Sequence, residues 1–171
     1  LNAKKAELLN YVSLALTSIE HLYEAGSGRT PEQDEAAKAQ ARQILNRLSF
    51  GSNGYFFVYD FKGRNLVHPK QPWRVGKNYW ELTDRNGRKV IQNLIKQARQ
   101  GGGYYQYSWE QPSSNQIADK IGYAVALDRW QWMVGTGIYI DDVAAQVAQA
   151  NTAMNERISQ TFLMISLVTL G

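Results

Sequence analysis

The stretch from Gly103 to Asp142 constrains the fold most, because it holds three strand-like runs in succession. The runs are rich in aromatic and β-branched residues, and a polar turn separates each run from the next. This order predicts three consecutive antiparallel strands. Strand alternation places Tyr105, Tyr107 and Trp109 on one face of the first run. A face lined with aromatic rings that carry polar tips is typical of two structures, the wall of a small-molecule pocket and an ordinary half-buried sheet.

Two helices are predicted before this stretch. Apolar residues at spacings of three and four predict a helix over residues 2–25, which Gly26-Ser27-Gly28 ends. Thr30, followed by proline and then by Gln33, has the spacing of a capping box and predicts the start of a second helix. That helix is expected to run to about Ser49.

Between the helices and the three runs, the pattern changes from strand to helix. Residues 55–60 and 64–68 predict two strands joined by a tight turn. Apolar residues show no clear period over residues 70–86, which predicts a long loop. Loops of this length in a compact domain often have a function. A third helix is predicted over 88–100, with a buried apolar stripe.

A long final helix completes the plan. Asp141 and Asp142 suit the positive end of its dipole, and an apolar stripe continues over 143–162. The expected fold class is therefore α+β, a PAS-like antiparallel five-stranded sheet with a long N-terminal helix, a second helix and a long C-terminal helix. We expect a single domain over residues 1–171, with the N-terminal helices in 1–50, the sheet with its inserted loop and helix in 53–139, and the C-terminal helix in 140–171.

Composition excludes several kinds of chemistry. The chain has 171 residues, no cysteine and a net charge of +4 that is spread along its length. Without a dense lysine and arginine block, nucleic-acid binding is not expected. Gly101-Gly102-Gly103 follow a helix and precede a strand, the reverse of a phosphate-binding loop. No catalytic triad, carboxylate cluster or metal-ligand spacing is visible, so the sequence predicts no enzyme activity, no metal and no cofactor.

The chain ends suggest a segment of a longer protein. Residues 161–171 carry no charge and are mostly apolar, which predicts either the start of a transmembrane helix or a buried terminal helix. The chain also begins at Leu1, with neither a methionine nor a signal peptide. We expect a domain excised from a membrane receptor.

Six short blocks carry a resemblance when they are taken in order. They are Asn53-Gly-Tyr-Phe-Phe-Val-Tyr-Asp60, His68-Pro69, Gly76-Lys-Asn78, Gly101 through Trp109, Lys120 with Tyr123, and Trp132 through Asp142. This series resembles a single Cache domain of the second type, over nearly the whole chain. The resemblance implies an extracytoplasmic sensor between two membrane helices of a bacterial chemoreceptor, sensor histidine kinase or cyclic-dinucleotide enzyme. Several members of the family bind small carboxylates such as acetate, propionate, pyruvate or lactate.

A carboxylate site needs a cationic group and an aromatic box. Lys120 is the one basic residue at a strand position within the three runs, and by resemblance it also matches a lysine of the family. The alternative for Lys120 is a strand-edge lysine in water. His68 is the second candidate, as a donor whose charge responds to pH, or else a histidine bound to backbone. The remaining candidates are walls or loop groups that close the site, each of which could equally be core: Tyr107, Trp109, Tyr123, Tyr79, Arg74 and Trp80.

The sequence thus predicts a sensor domain, most simply of a chemotaxis receptor. We expect it to face the periplasm from the inner membrane, to bind a short organic acid and to signal through its terminal helices as a homodimer. The alternative is a dimerisation or protein-contact module without a ligand, in a sensor histidine kinase or similar receptor. That module would use an interface along residues 143–162. A soluble enzyme is the third interpretation.

Overall fold

The computed structural model describes residues 2–24 and 28–169, except for the side chains of 166–169. Helix α1 spans Asn2–Glu24 and helix α2 spans Pro31–Arg47. The predicted end of the first helix, at residues 25–28, lies almost entirely outside the described residues. The predicted capping box is present: the Thr30 hydroxyl accepts from the Gln33 backbone N–H at 3.3 Å, and the Gln33 side chain accepts from the Thr30 N–H at 2.9 Å.

The other elements follow the predicted order. They are β1 (Ser49–Phe50), β2 (Gly54–Tyr55), β3 (Phe57–Asp60), β4 (Asn65–Val67), α3 (Val90–Arg99), β5 (Gly103–Gln111), β6 (Gln116–Leu127), β7 (Trp132–Tyr139) and α4 (Ile140–Thr169), with short 3₁₀ turns at Pro72–Arg74 and Asp128–Trp130. Five strands form an antiparallel sheet in the order β4-β3-β7-β6-β5. The α+β fold with a PAS-like five-stranded sheet is therefore confirmed.

One predicted strand is divided. The sequence pattern predicts one run over residues 55–60, but β2 pairs with β1 in a separate two-stranded sheet while β3 pairs with β4 and β7. Gly54 allows this arrangement, because a Cβ at that position would lie 2.2 Å from the Phe50 carbonyl oxygen. Tyr55 stays next to the main sheet, because the Thr136 hydroxyl of β7 donates to its carbonyl at 2.6 Å.

The sheet packs on both faces. One face meets α1 and α2, which bury Leu8, Val12, Ala15, Ile19 and Leu22 from the first helix and Ala37, Ala41 and Leu45 from the second. Most of these side chains meet Phe56, Val58, Val134 and Trp132 of the sheet in a single apolar core. Burial of the apolar side chains on this face stabilises the folded domain.

The other face meets α3 and the long loop between β4 and α3. Asp84 anchors the loop, because its buried carboxylate accepts from the Ser108 N–H at 3.0 Å and from the Arg88 side chain at 2.7 Å. Burial alone would raise the pKa of Asp84, but the hydrogen bonds from Ser108, Arg88 and Asn86 hold that pKa at about 2. The loop is therefore a fixed wall of the domain.

Helix α4 continues directly from β7, and every described side chain from Ala144 to Phe162 is exposed. No helix in the described part of the chain is long and apolar enough to cross a membrane. The expectation that residues 161–171 begin a transmembrane helix falls partly outside the described residues and stays a prediction.

Candidate ligand-binding site

The aromatic face of the sheet surrounds one lysine. Lys120 lies in the middle of β6, paired with Tyr107 of β5 and Tyr139 of β7, so these three side chains point to the same face. Its Nζ lies 4.1 Å from the ring centre of Tyr55, 5.0 Å from that of Tyr139 and 5.5 Å from that of Phe57. We call Tyr55, Phe57 and Tyr139 with Lys120 the aromatic cage.

The ammonium group of Lys120 is buried and has no hydrogen-bond partner. The residue is 0% exposed, and Nζ is among the few buried polar side-chain atoms in the described residues without a partner. Burial lowers the pKa of Lys120 from 10.5 to about 7, because the charged form loses its hydration. The aromatic rings stabilise the cation only in part, by about 2 kcal/mol where water is excluded. In its protonated form, Lys120 is therefore a buried cation with no anion bonded to it among the described residues.

Two glycines make room for this arrangement. A Cβ on Gly137 would lie 2.6 Å from Cε of Lys120, and a Cβ on Gly122 would lie 3.0 Å from the ring of Tyr107. Both glycines face the same side of the sheet as the lysine, since Gly122 is two residues further along β6 and pairs with Gly137. The lysine side chain can lie across Gly137 because that residue has no side chain, and Gly122 makes room for the ring of Tyr107 in the same way.

His68 is a neutral donor at the edge of the same face. Its Nδ1 accepts from the Gln71 N–H at 3.1 Å, which leaves the proton on Nε2. Burial lowers the pKa of His68, the charges of Lys120 and Arg74 act in the same direction, and the pKa falls to about 3. The expectation that the charge of His68 responds to pH near neutrality is therefore wrong. Lys120 is the group whose pKa lies near 7.

A second cation lies where the long loop meets β5. The Arg74 guanidinium is 4.6 Å from the ring centre of Tyr79 and 4.7 Å from that of Trp109, and its Nε donates to Oε1 of Gln71 at 2.6 Å. Its Nη1 is buried without a hydrogen-bond partner in the described part of the chain. Packing between two rings holds the guanidinium plane in place, and both N–H groups of Nη1 lack an acceptor.

These groups adjoin a small cavity between the sheet and α3. Its walls are Tyr55, Phe57, Tyr59, His68, Val90, Ile91, Leu94, Tyr107 and Trp109. The cavity leaves about 10 Å³ for the centre of a water-sized sphere, which is room for about one water molecule. Lys120 is not in direct contact with this space, but it contacts two of its walls, Tyr55 and Phe57. An organic acid would therefore have to move these walls apart.

The nearest charges to the cavity walls are cationic. Lys120 and Arg74 contact the walls from outside the cavity, and no carboxylate is among the residues that line it. Tyr59 adds a buried hydroxyl oxygen that has no hydrogen-bond partner in the part of the chain that the structure describes. Donors without acceptors in an apolar surrounding favour an anion with a short apolar part. Within the described ranges, no group of three histidine, cysteine, aspartate or glutamate side chains is placed to hold a metal ion.

The structure brings together six of the eight predicted site residues: Lys120, His68, Tyr107, Trp109, Tyr79 and Arg74. Tyr123 is the first exception. It lies on the opposite face, 4.7 Å from the ring of Tyr104, whose hydroxyl donates to the Lys5 carbonyl of α1. Successive side chains of a strand point to opposite faces, and residues 120 and 123 are three positions apart, so they lie on different faces.

Trp80 is the second exception. It lies at the surface beside Phe61 and Lys62, with 37% of its area exposed. Its backbone packs against Gly63, where a Cβ would lie 2.9 Å from the Trp80 Cα. This close approach fixes Trp80 at the outside of the turn, so it does not close the site.

Four aromatic residues of the site were not predicted: Tyr55, Phe57, Tyr59 and Tyr139. The first three carry a signal in the sequence, since they alternate along one run as Tyr105, Tyr107 and Trp109 do. Tyr139 carries none, because its role depends on its pairing opposite Lys120.

Comparison with known proteins decides the family. The model of the family Single Cache domain 2 matches residues 1–152. The chain belongs to this family. Its PAS-like sheet, its two helical arms and its order of sequence blocks are those that the resemblance implied.

Relatives of this Cache domain are receptors. It is 51% identical to the sensor histidine kinase MctS of Rhizobium johnstonii over 98% of the chain, which is 36% of that protein. The domain thus spans about a third or less of the curated relatives it matches.

Solved structures give the same result. A methyl-accepting chemotaxis protein from Vibrio parahaemolyticus superposes with a TM-score of 0.76 at 41% identity, covering 83% of this chain and 92% of that one. A Cache chemosensory domain whose structure is described as a basis for carboxylic acid recognition superposes with a TM-score of 0.71 at 27% identity, covering 81% and 95%. This Cache domain is therefore a sensor domain of the kind that chemoreceptors and sensor kinases carry.

Proposed function

We propose that this Cache domain binds a short-chain carboxylate in the aromatic cage and signals through its terminal helices. The observation that carries the proposal is the Lys120 ammonium, which is buried among three rings and has no hydrogen-bond partner among the described residues. A buried cation without an anion costs free energy, and a carboxylate supplies both the charge and the acceptor oxygens that are lacking. In this proposal Arg74 and His68 act as additional donors.

The relatives support the ligand class and the location. The structure described as a basis for carboxylic acid recognition has the same fold at 27% identity. Sensor domains of this family face the periplasm from the inner membrane, so we propose the same location here. We propose that the output is a kinase or a chemotaxis signalling domain, as in the receptors that resemble the chain.

The test is a thermal melting panel with acetate, propionate, pyruvate and lactate, and with amines and amino acids as controls. A ligand present at a hundred times its dissociation constant adds about 2.7 kcal/mol to the free energy of unfolding. We expect stabilisation by short carboxylates only, and its loss in Lys120→Ala with the fold intact. Calorimetry that finds the same affinity in Lys120→Ala would remove Lys120 from the site.

A second candidate function is a contact module without a ligand. The exposed apolar side chains of α4, Val147, Met154, Ile158 and Phe162, favour it. In this case no compound of the panel stabilises the domain, and α4 of one receptor subunit packs on a second copy.

A further inference from the structure

Helix α4 contacts the rest of the domain mainly through its first turn. Asp142, in the first turn of α4, is half-buried, and the side chains from Ala144 to Phe162 are all exposed. Between α1 and the start of α4 lies an open cleft of about 290 Å³, lined by residues of both helices. Because α4 is little supported beyond its first turn, the contacts of that turn determine its direction.

Asp142 makes those contacts with both of its carboxylate oxygens. Oδ2 accepts from Nδ2 of Asn53 at 2.8 Å, and Oδ1 accepts from Nε2 of Gln111 at 2.8 Å. Asn53 is buried and in turn accepts from the Ser113 N–H at 2.9 Å. We call Asp142, Asn53 and Gln111 the anchor. The anchor joins α4 to the β1–β2 turn and to the β5–β6 hairpin.

Two members of the anchor lie close to the aromatic cage along the chain, and the third is next to a residue that is hydrogen-bonded to the cage. Asn53 precedes Tyr55 by two residues, and Asp142 follows Tyr139 by three. Gln111 follows Glu110, whose carbonyl accepts a hydrogen bond from the Tyr139 hydroxyl. The ring of Tyr55 and the ring of Tyr139 both contact Lys120. A backbone displacement at Tyr55 or Tyr139 would therefore reach a member of the anchor within three residues.

We infer that Asp142 is the positioning residue that fixes the direction of α4 and passes the state of the aromatic cage to it. Complementing the helix dipole does not explain the arrangement, because Asp141 supplies the same charge in the same turn and is exposed. It is Asp142 that accepts the two hydrogen bonds from Asn53 and Gln111. The part of this inference that concerns the cage rests on the proposed function, whereas the anchoring of α4 does not.

Distance measurement between α4 and the body of the domain tests the inference. The chain has no cysteine, so two spin labels can be placed at Lys96→Cys on α3 and Asn151→Cys on α4, both of which are exposed. Pulsed electron spin resonance then reports the distribution of their separation. We expect a narrow distribution in the labelled parent without ligand, and loss of the narrow peak in Asp142→Ala. Asp141→Ala, the matched control, keeps the narrow peak.

A reciprocal exchange keeps the test valid if Asp142→Ala affects folding. In the double variant Asn53→Asp with Asp142→Asn, the carboxylate at 53 can accept from Ser113 and from the new amide, whose oxygen can still accept from Gln111. We expect this pair to restore the narrow peak, which Asp142→Asn alone does not, since one amide oxygen then faces two donors. An unchanged peak in Asp142→Ala, or equal broadening in Asp141→Ala, overturns the inference.

The link to the cage has its own measurement. With acetate or lactate added to saturation, as judged by the melting temperature, the label distance shifts in the parent and does not shift in Asp142→Ala. An equal shift in Asp142→Ala overturns the link. If no acid stabilises the parent, the proposed function fails and the link fails with it, while the ligand-free distances still decide the anchoring of α4.

Discussion

Replacing Lys120 by methionine should stabilise the empty domain and abolish its response to carboxylates. Methionine has a similar length and no charge, so it fills the same space beside Tyr55 and Gly137. Lowering the pKa of the lysine from 10.5 to about 7 corresponds to about 5 kcal/mol of lost stability for the protonated form. This figure is an upper limit, because replacing buried ionic groups by apolar residues gains about 1–4 kcal/mol in practice.

The sign of the pH dependence follows from the direction of the shift. The unfolded chain keeps the lysine proton up to about pH 10.5, whereas the folded domain releases it near pH 7. The destabilisation is therefore complete below pH 7 and diminishes as the pH rises toward 10.5. The advantage of Lys120→Met should be largest at pH 7 and below, and by pH 9 it should fall to about 2 kcal/mol.

Urea unfolding at pH 7 and pH 9 measures this advantage, in protein freed of bound acids. Lys70→Met is the matched control, because Lys70 is exposed and its loss should change stability by no more than about 0.5 kcal/mol. A Lys120→Met variant that is less stable than the parent at pH 7 would refute the argument. So would an advantage that does not change between pH 7 and pH 9.

Three further outcomes are expected. Carboxylate affinity should change little between pH 6 and about pH 7 and should weaken by up to about tenfold per pH unit above it, because the ionised acid binds the protonated lysine. Calorimetry at several pH values from 6 to 9 measures this. Gly137→Ala should lower the free energy of unfolding by about 1–3 kcal/mol and abolish carboxylate binding, since the new Cβ would lie 2.6 Å from Cε of Lys120. Melting curves with and without acetate measure both effects. A variant that is fully stable and still binds would contradict the packing argument. Ile158 is 46% exposed, so Ile158→Glu should leave the melting temperature of the domain unchanged. In sedimentation of the full receptor, the same variant should weaken self-association. A lower melting temperature would show that Ile158 contributes to the stability of the domain itself.

Much of the sheet could be predicted from its sequence, because alternation is a local property. Tyr105, Tyr107 and Trp109 pack in one aromatic cluster as the pattern predicts. The same rule assigns Lys120 and Tyr123 to opposite faces of β6, where the structure has them. Nearness in sequence favours Tyr123 as a partner of Lys120, but nearness along a strand does not determine the face.

Other parts of the site depend on contacts between distant segments. Arg74 lies in a stretch without a period, and its place between Tyr79 and Trp109 follows from the anchoring of the loop by Asp84. Tyr139 contacts Lys120 because β6 and β7 pair in one particular register. Hydrophobic patterns predict that such strands exist, but they do not give the register between them.

Alternate residues of one strand lie on opposite faces of the sheet, so they are under different selection: one set for packing with α1 and α2, the other for the aromatic side. In β3, Val58 belongs to the apolar core under α1 and α2, while Phe57 and Tyr59 belong to the aromatic side. Under the proposed function, a change at position 57 or 59 alters the shape and polarity that the domain presents to a ligand, while the core under α1 and α2 stays the same. Descendants of such a chain can acquire a new chemical preference by single substitutions while the structure that carries the signal is inherited intact.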